Sequence, residues 1–179
     1  MHFMFNASGA PEHTKIELRT RLNTEIDNLQ PWSYSSLEWK SLYSPDNQYE
    51  KAGAKPVGEI CPVYNCHGLT FGSRRTQIDG SPETISMILA EDGFDAIDEK
   101  HVKTGDVVVY YDDLGQVLHS GIVLSIEAFG IPKIWSKWGK GFEWVHLLRN
   151  CPYAFSRVTY YRLKIWKPEE ILKKNSLKL

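Results

Sequence analysis

At 179 residues, with 42% hydrophobic and 24% charged side chains, the chain has the size and composition of one folded globular domain, which excludes a disordered or fibrous protein. Its 21 basic and 22 acidic residues leave a formal charge of −1, so no overall field draws it onto nucleic acid. No apolar run reaches the roughly 18 residues of a membrane span, and Met1-His2-Phe3-Met4-Phe5-Asn6 carries neither a basic n-region nor a long apolar core. The expectation is synthesis in the cytoplasm without integral membrane association, with a signal-independent route outward left open.

In chain order, residues 11–30 place Ile16, Leu18, Leu22, Ile26 and Leu29 among charged side chains, a spacing that predicts an amphipathic helix ended by Pro31. The stretch from Trp32 to Tyr43 fits a short second helix or an aromatic-rich loop. Ser44–Asn47 and Lys51–Pro56 are turn-rich surface connection. Asn65 is a favoured N-cap, which predicts a helix whose first turn holds Cys66, with Leu69 and Phe71 or Gly72 inward; Gly68 and Gly72 would admit a close neighbour. Ser81 and Pro82, followed by Ile85, Ile88 and Leu89 and stopped by Gly93, predict another helix.

From Thr104 the pattern turns to strands. Val107–Tyr111 and Val117–Ile126 flank a turn at Asp112–Gly115, and Lys133–Trp138, Trp144–Leu148 and Val158–Trp166 complete a sheet of about five strands. The tail from Pro168 reads as a short basic amphipathic helix. The predicted fold is α+β, with N-terminal helices and one helix packed on the antiparallel sheet. It divides into a helical extension (1–55), a core (56–166) and a tail (167–179) of a single domain.

Cys61, Cys66 and Cys151 are an odd number without a secretory signal, so no disulfide framework is expected. Zinc at Cys61, Cys66, His67 and Cys151 lacks paired C-x2-C spacing, and no metal or other cofactor is called for. Chemistry instead centres on Cys66 and His119. A thiol at a helix N-terminus gains from the partial positive charge and free N–H groups there, and a nearby imidazolium would pull its pKa down to an attacking thiolate. The N–H groups of Cys66 and His67 would receive an oxyanion. His119, early on its strand, would project to one face with Leu118 and Ser120 on the other. A third polar group to orient the ring would come from the next strand, which carries Ser136 and Lys137, or from His146 on the one after.

Blander roles stand beside these. Cys66 could be an ordinary buried thiol and His119 a satisfied core histidine. Cys61 precedes Pro62, which has no N–H to offer an oxyanion, and Cys151 precedes Pro152 and suits packing. His67 fits a substrate contact or an exposed helix position. Trp135, Trp138 and Trp144 suit either a substrate groove or the core, and Arg74-Arg75 either a substrate carboxylate or solvent.

The segments Asn65-Cys66-His67-Gly68-Leu69, Gly105-Asp106-Val107-Val108-Val109-Tyr110 and His119-Ser120-Gly121-Ile122-Val123, in that order, resemble the NlpC-type papain-like cysteine peptidases and their CHAP amidase relatives. The resemblance covers roughly residues 60–145. It implies a papain-like fold, with Cys66 as nucleophile, His119 as general base and acid, and hydrolysis of an amide or peptide bond. In bacterial members that bond lies in the peptide stem of peptidoglycan. The sequence departs from the pattern in carrying His67 after the cysteine and in lacking a clear third residue, Ser136 being nearest by position and His146 by chemistry. The implied partners are a peptide or peptidoglycan-type substrate and, for an interbacterial effector or lysin, an inhibitory or immunity protein. Acyl transfer, protein deamidation and an inactive binding module are the alternatives on the same scaffold.

Overall fold

All five strands expected between residues 107 and 166 form, and two short ones extend them at the edges. The computed structural model describes residues 13–31 and 53–165. Within them β1 (His13–Thr14), β2 (Asn28–Pro31) and β3 (Lys55–Val57) precede α1 (Cys66–Phe71), β4 (Gln77–Ile78) and α2 (Pro82–Asp92). There follow β5 (Phe94–Ile97), β6 (Val107–Tyr111), β7 (Val117–Ile126), β8 (Pro132–Lys137), β9 (Glu143–Leu147) and β10 (Arg157–Leu163). The large sheet has the order β3-β9-β8-β7-β6-β10-β5, antiparallel throughout, and a small sheet has the order β1-β2-β4.

This corrects the expected fold class. The described residues are mostly β, with a seven-stranded sheet, a three-stranded sheet and two α-helices, rather than N-terminal helices and one helix on about five strands. The predicted helix over residues 11–30 is instead two strands joined by an extended excursion. Its burial alternates strictly. Leu18, Thr20, Ile26 and Asn28 are buried and Ile16, Leu22 and Thr24 half-buried, while every odd-numbered residue from Lys15 to Asp27 is exposed.

Ile16, Leu18, Leu22 and Ile26 fit a helix, but being all even-numbered they fit a period of two equally once polar residues are allowed inside. Those polar residues are fully bonded. The Asn28 side chain donates to the carbonyls of Ile16 and Ile26, both at 2.9 Å, and accepts from the Ile16 N–H and the Thr76 hydroxyl, both at 3.0 Å. Thr20 donates to Glu91 at 2.5 Å. Asn23 turns the chain in a left-handed conformation, φ 70°. The expected segment from Trp32 to Tyr43 and the C-terminal helix lie outside the described residues. Strand β3 straddles the expected boundary between extension and core, joining the sheet edge beside β9.

Both other helices follow their caps. The Asn65 side chain accepts from the Gly68 N–H at 2.8 Å to start α1. Ser81 accepts from the Thr84 N–H to start α2, and Gly93, left-handed at φ 79°, ends it with its N–H on the Leu89 carbonyl. Strand β6 contributes to two cores, one on each side of the large sheet. Val107 and Val109 join Leu18, Ile26, Ile78 and the inner face of α2. Val108 and Tyr110 join Val123, Ile134 and Tyr160, closed over by Leu148, Cys151 and Phe155. Asp106, at the start of β6, is structural: its carboxylate accepts two bonds of 2.8 Å from Arg162 and one of 2.6 Å from the Lys103 N–H.

Candidate active site around Cys66 and His119

Helix α1 is held where it is by Asn65 and Gly68. Besides capping, Asn65 donates to the Ile78 carbonyl at 2.9 Å and accepts from the Ile78 N–H at 3.2 Å, tying the helix start to β4. Gly68 lies against the backbone of Thr76, so close that a Cβ there would be 1.8 Å from the carbonyl oxygen. Cys66 is thus fixed as the first helical residue, and it is 7% exposed. Its thiol lies against backbone hydrogen-bonding groups of Ser120, His67 and Cys66 itself, and near the charge of Lys137, all of which favour the thiolate. Burial outweighs them and pushes the thiol up to about 11, opposite to the expected lowering.

Strand parity sends Ser120 and His119 to opposite faces of β7. Ser120 faces α1. A consistent chain runs from His67 Nδ1–H to Ser120 Oγ at 2.9 Å, from Ser120 to Thr70 Oγ1 at 3.0 Å, and from Thr70 to the Cys66 carbonyl at 2.9 Å. His67 is therefore neither an exposed helix residue nor a surface contact. It is 4% exposed, pins α1 to β7, and burial lowers its pKa to about 4.

His119 turns the other way, beside its strand partner Tyr110. Its ring stacks on Tyr153 at 4.6 Å and tilts against Tyr110 at 5.3 Å. The residue is 0% exposed, and neither ring nitrogen has a hydrogen-bond partner. Desolvation, then the neighbouring His67 and His146, hold its pKa well below the usual 6.5. The Cys66 thiol thus meets the backbone of Ser120 from the α1 side while the His119 ring lies on the other face of β7, and no hydrogen bond joins the two. Both are neutral near pH 7 in this conformation.

Ser136 and His146 share the His119 face, since Ser136 pairs with Gly121 and His146 with Ile134. They bond to one another: Trp138 Nε1–H donates to Ser136 Oγ at 3.1 Å, Ser136 donates to His146 Nε2 at 2.9 Å, and His146 Nδ1–H donates to the Leu147 carbonyl at 2.9 Å. Neither is bonded to His119. Gly121 makes room for this crossing, as a Cβ there would be 2.7 Å from Ile134 and 3.0 Å from Ser136. Trp138 stacks on Trp144 at 4.5 Å, whereas Trp135 lies on the α1 side under Arg74, so Trp135 and Trp138 line no common groove.

A cluster around Glu143 completes the α1 side. Glu143 accepts from Tyr64 at 2.6 Å, Arg74 at 2.6 Å and Trp135 at 2.8 Å, so Arg74 is committed to the protein. Lys137, the strand partner of Glu143, is fully buried. Its position was legible, as it alternates with Ser136 along β8, but a lysine at a strand end reads as solvated. A cavity of about 410 Å³ opens beside Asn65, lined also by Asp27, Gln77, Ile78, Asp79 and Gly80. Gly80 abuts His67 Nε2.

Comparison with protein-family models, curated proteins and solved structures found no match. The site is therefore read from its own geometry. Among the described residues, all three cysteines are free, no group of three His, Cys, Asp or Glu side chains is arranged to hold a metal ion, and no helix is long and apolar enough to cross a membrane.

Proposed function

We propose that this protein is a cysteine hydrolase that cleaves an amide or peptide bond, with Cys66 as nucleophile, His119 as general base and acid, and peptidoglycan stem peptides as the substrate class. The observation that carries the reading is the meeting at Ser120. A thiol on the first residue of a capped helix lies against the backbone of Ser120, and the residue before Ser120 carries a buried imidazole with both nitrogens unused. Buried unpaired polar groups are rare in folded proteins and concentrate where chemistry needs them.

Because thiol and imidazole are both neutral, the reaction begins with proton transfer. His119 takes the Cys66 proton as sulfur bonds to the carbonyl carbon, and the N–H groups of Cys66 and His67 receive the oxyanion. The tetrahedral intermediate collapses, the amine leaves with the proton from His119, and water then hydrolyses the thioester with His119 again as base. The conformation described here holds the thiol on the α1 side of β7 and the imidazole on the other, so this chemistry requires a rearrangement that brings the Cys66 sulfur within reach of the His119 ring.

One observation favours a second reading, a binding module without turnover: Cys66 and His119 are both buried and not bonded to each other. Purified protein and its Cys66→Ala variant, incubated with peptidoglycan and with glutamine and acyl substrates, separate the two. Products by mass spectrometry from the parent alone support the hydrolase, and silence on every substrate supports the module.

A further inference from the structure

Among the described residues, the fully buried side-chain nitrogens and oxygens without a hydrogen-bond partner belong to three side chains: the hydroxyls of Tyr110 and Tyr160 and both ring nitrogens of His119. The three meet on the side of the large sheet away from α1. Tyr110 on β6 and Tyr160 on β10 belong to one apolar cluster, and the His119 ring on β7 lies 5.3 Å from the Tyr110 ring. Tyr110 and His119 are 0% exposed and Tyr160 2%. Buried polar groups are nearly always paired in folded proteins, so four orphaned atoms gathered on one patch mark a demand that the chain itself leaves unmet.

Over this patch lies the segment between β9 and β10, from Leu148 to Ser156. Beyond a single helical turn at Leu148–Asn150 it has no regular secondary structure. Its Phe155 N–H bonds within the segment, to the Tyr153 carbonyl at 2.9 Å, and Ser156 returns to the sheet, donating its N–H to the Tyr111 carbonyl at 2.9 Å. Two rings do the covering. Tyr153 stacks on His119 with centroids 4.6 Å apart and planes 25° from parallel, and Phe155 meets the Tyr110 ring edge-on at 4.9 Å. These contacts supply ring faces and apolar surface but no hydrogen bond to any of the four atoms.

We propose that the patch is a binding site for a small uncharged aromatic molecule bearing hydroxyl or carbonyl groups, and that Tyr153 fills its ring slot until the ligand displaces it. Such a ligand keeps the stack on His119 and adds the hydrogen bonds that Tyr153 leaves unmade. Two phenol hydroxyls and a neutral imidazole offer both donors and acceptors, and Val108, Val123 and Ile134 are the apolar surroundings that a ring requires. The ligand is uncharged because a buried ion needs a counter-charge. Among the described residues the buried charged side chains are Asp106, Lys137 and Glu143, and all three are bonded elsewhere. It is a free molecule rather than part of a chain, since the closed segment seals the patch. The site uses no atom of Cys66 and stands independently of the hydrolase reading.

The test is calorimetric titration of para-hydroxybenzamide, and separately of toluene, into the parent, Tyr153→Ala, and Tyr153→Ala combined with Tyr110→Phe and Tyr160→Phe. Tyr153→Ala opens the ring slot, so it should bind para-hydroxybenzamide at least tenfold more tightly than the parent does and at least tenfold more tightly than it binds toluene. Removing the two hydroxyls should weaken para-hydroxybenzamide about tenfold and leave toluene unchanged, two hydrogen bonds being worth about that factor. A Tyr153→Ala protein that binds neither probe, or both equally, overturns the proposal, and so does an affinity indifferent to the two hydroxyls. If Tyr153→Ala does not melt cooperatively, the parent decides. Saturable binding of para-hydroxybenzamide that shifts the His119 ring-nitrogen resonances, and that Tyr110→Phe with Tyr160→Phe weakens, supports the site; resonances unmoved up to the solubility limit overturn it.

Discussion

Replacing Gly68 by alanine tests how tightly α1 is seated. In an isolated helix the change would stabilise by about 1 kcal/mol, since glycine has the larger conformational entropy to lose. Here a Cβ would be 1.8 Å from the Thr76 carbonyl oxygen, about 1.2 Å inside the 3.0 Å below which such contacts essentially never occur. The obstacle is backbone, so the helix must move away from Thr76. Overfilled interiors cost about 1–3 kcal/mol, and a clash this deep belongs at the upper end. The same movement pulls Asn65 away from the Ile78 backbone groups that it joins to the helix start, and losing a cap costs about 1 kcal/mol more. Set against the helix gain, the net loss is about 2–3 kcal/mol, or roughly 5–10 °C in melting temperature for a chain of this size. Calorimetry and urea denaturation read it directly. A Gly68→Ala protein that melts at or above the parent temperature would refute the reasoning.

Other consequences follow from the buried groups. His119→Phe removes two unbonded nitrogens while keeping a ring between Tyr110 and Tyr153, so hydrolysis should vanish while the melting temperature holds or rises, an orphaned buried donor costing about 1–3 kcal/mol; a clear loss of stability would contradict the packing described. His67 and His146, both lowered by burial to about 4 from 6.5, are protonated more readily in the unfolded chain, and His119 acts in the same sense. Stability is therefore complete above pH 6.5 and falls as pH drops toward 4, by roughly 3 kcal/mol for each of the first two when fully titrated. Equal urea midpoints at pH 7 and pH 4.5 would rule this out. With its thiol near 11, Cys66 is about one part in ten thousand thiolate at pH 7, so its alkylation in the parent should take hours and accelerate steadily toward pH 11; completion within minutes at pH 7 would show the thiol is not buried in solution.

The parts of the fold that rest on local chemistry were legible. Runs of β-branched and aromatic residues between turns marked the five central strands, and Asn65, Ser81 and Gly93 marked helix ends, because caps and turns are set within a few residues. The N-terminal excursion was not legible, because Thr20, Thr24 and Asn28 point inward and are satisfied by partners as distant as Glu91 and Thr76, which no local pattern reveals. Strands β3 and β5 are three and four residues long and carry Pro56 and Asp95, too short and too polar to stand out. At the site, parity separated His119 from Ser120 correctly. Which face α1 covers was a tertiary matter, and it decides that His67 turns inward and that Cys66 meets the backbone of Ser120 without a hydrogen bond to His119. Glu143 was passed over, and Lys137 was weighed only as a neighbour of Ser136, because charged residues are rarely buried unless paired and the partners of Glu143 come from β8 and from Tyr64 and Arg74 either side of α1.

The strand order also dictates a timetable. Strands β6 to β9 are neighbours in sequence as well as in the sheet, so they close as successive hairpins with little loop entropy, whereas β3 reaches its place only by joining β9 from the far end of the chain. Synthesis runs in the opposite sense, from the N-terminus. The segment bearing Cys61 and Cys66 leaves the ribosome before the strands that cover it exist, so each nascent chain carries two bare thiols until β7 and β8 emerge. Production in an oxidising compartment would catch them at that stage, and a reducing one is the setting in which this architecture assembles cleanly.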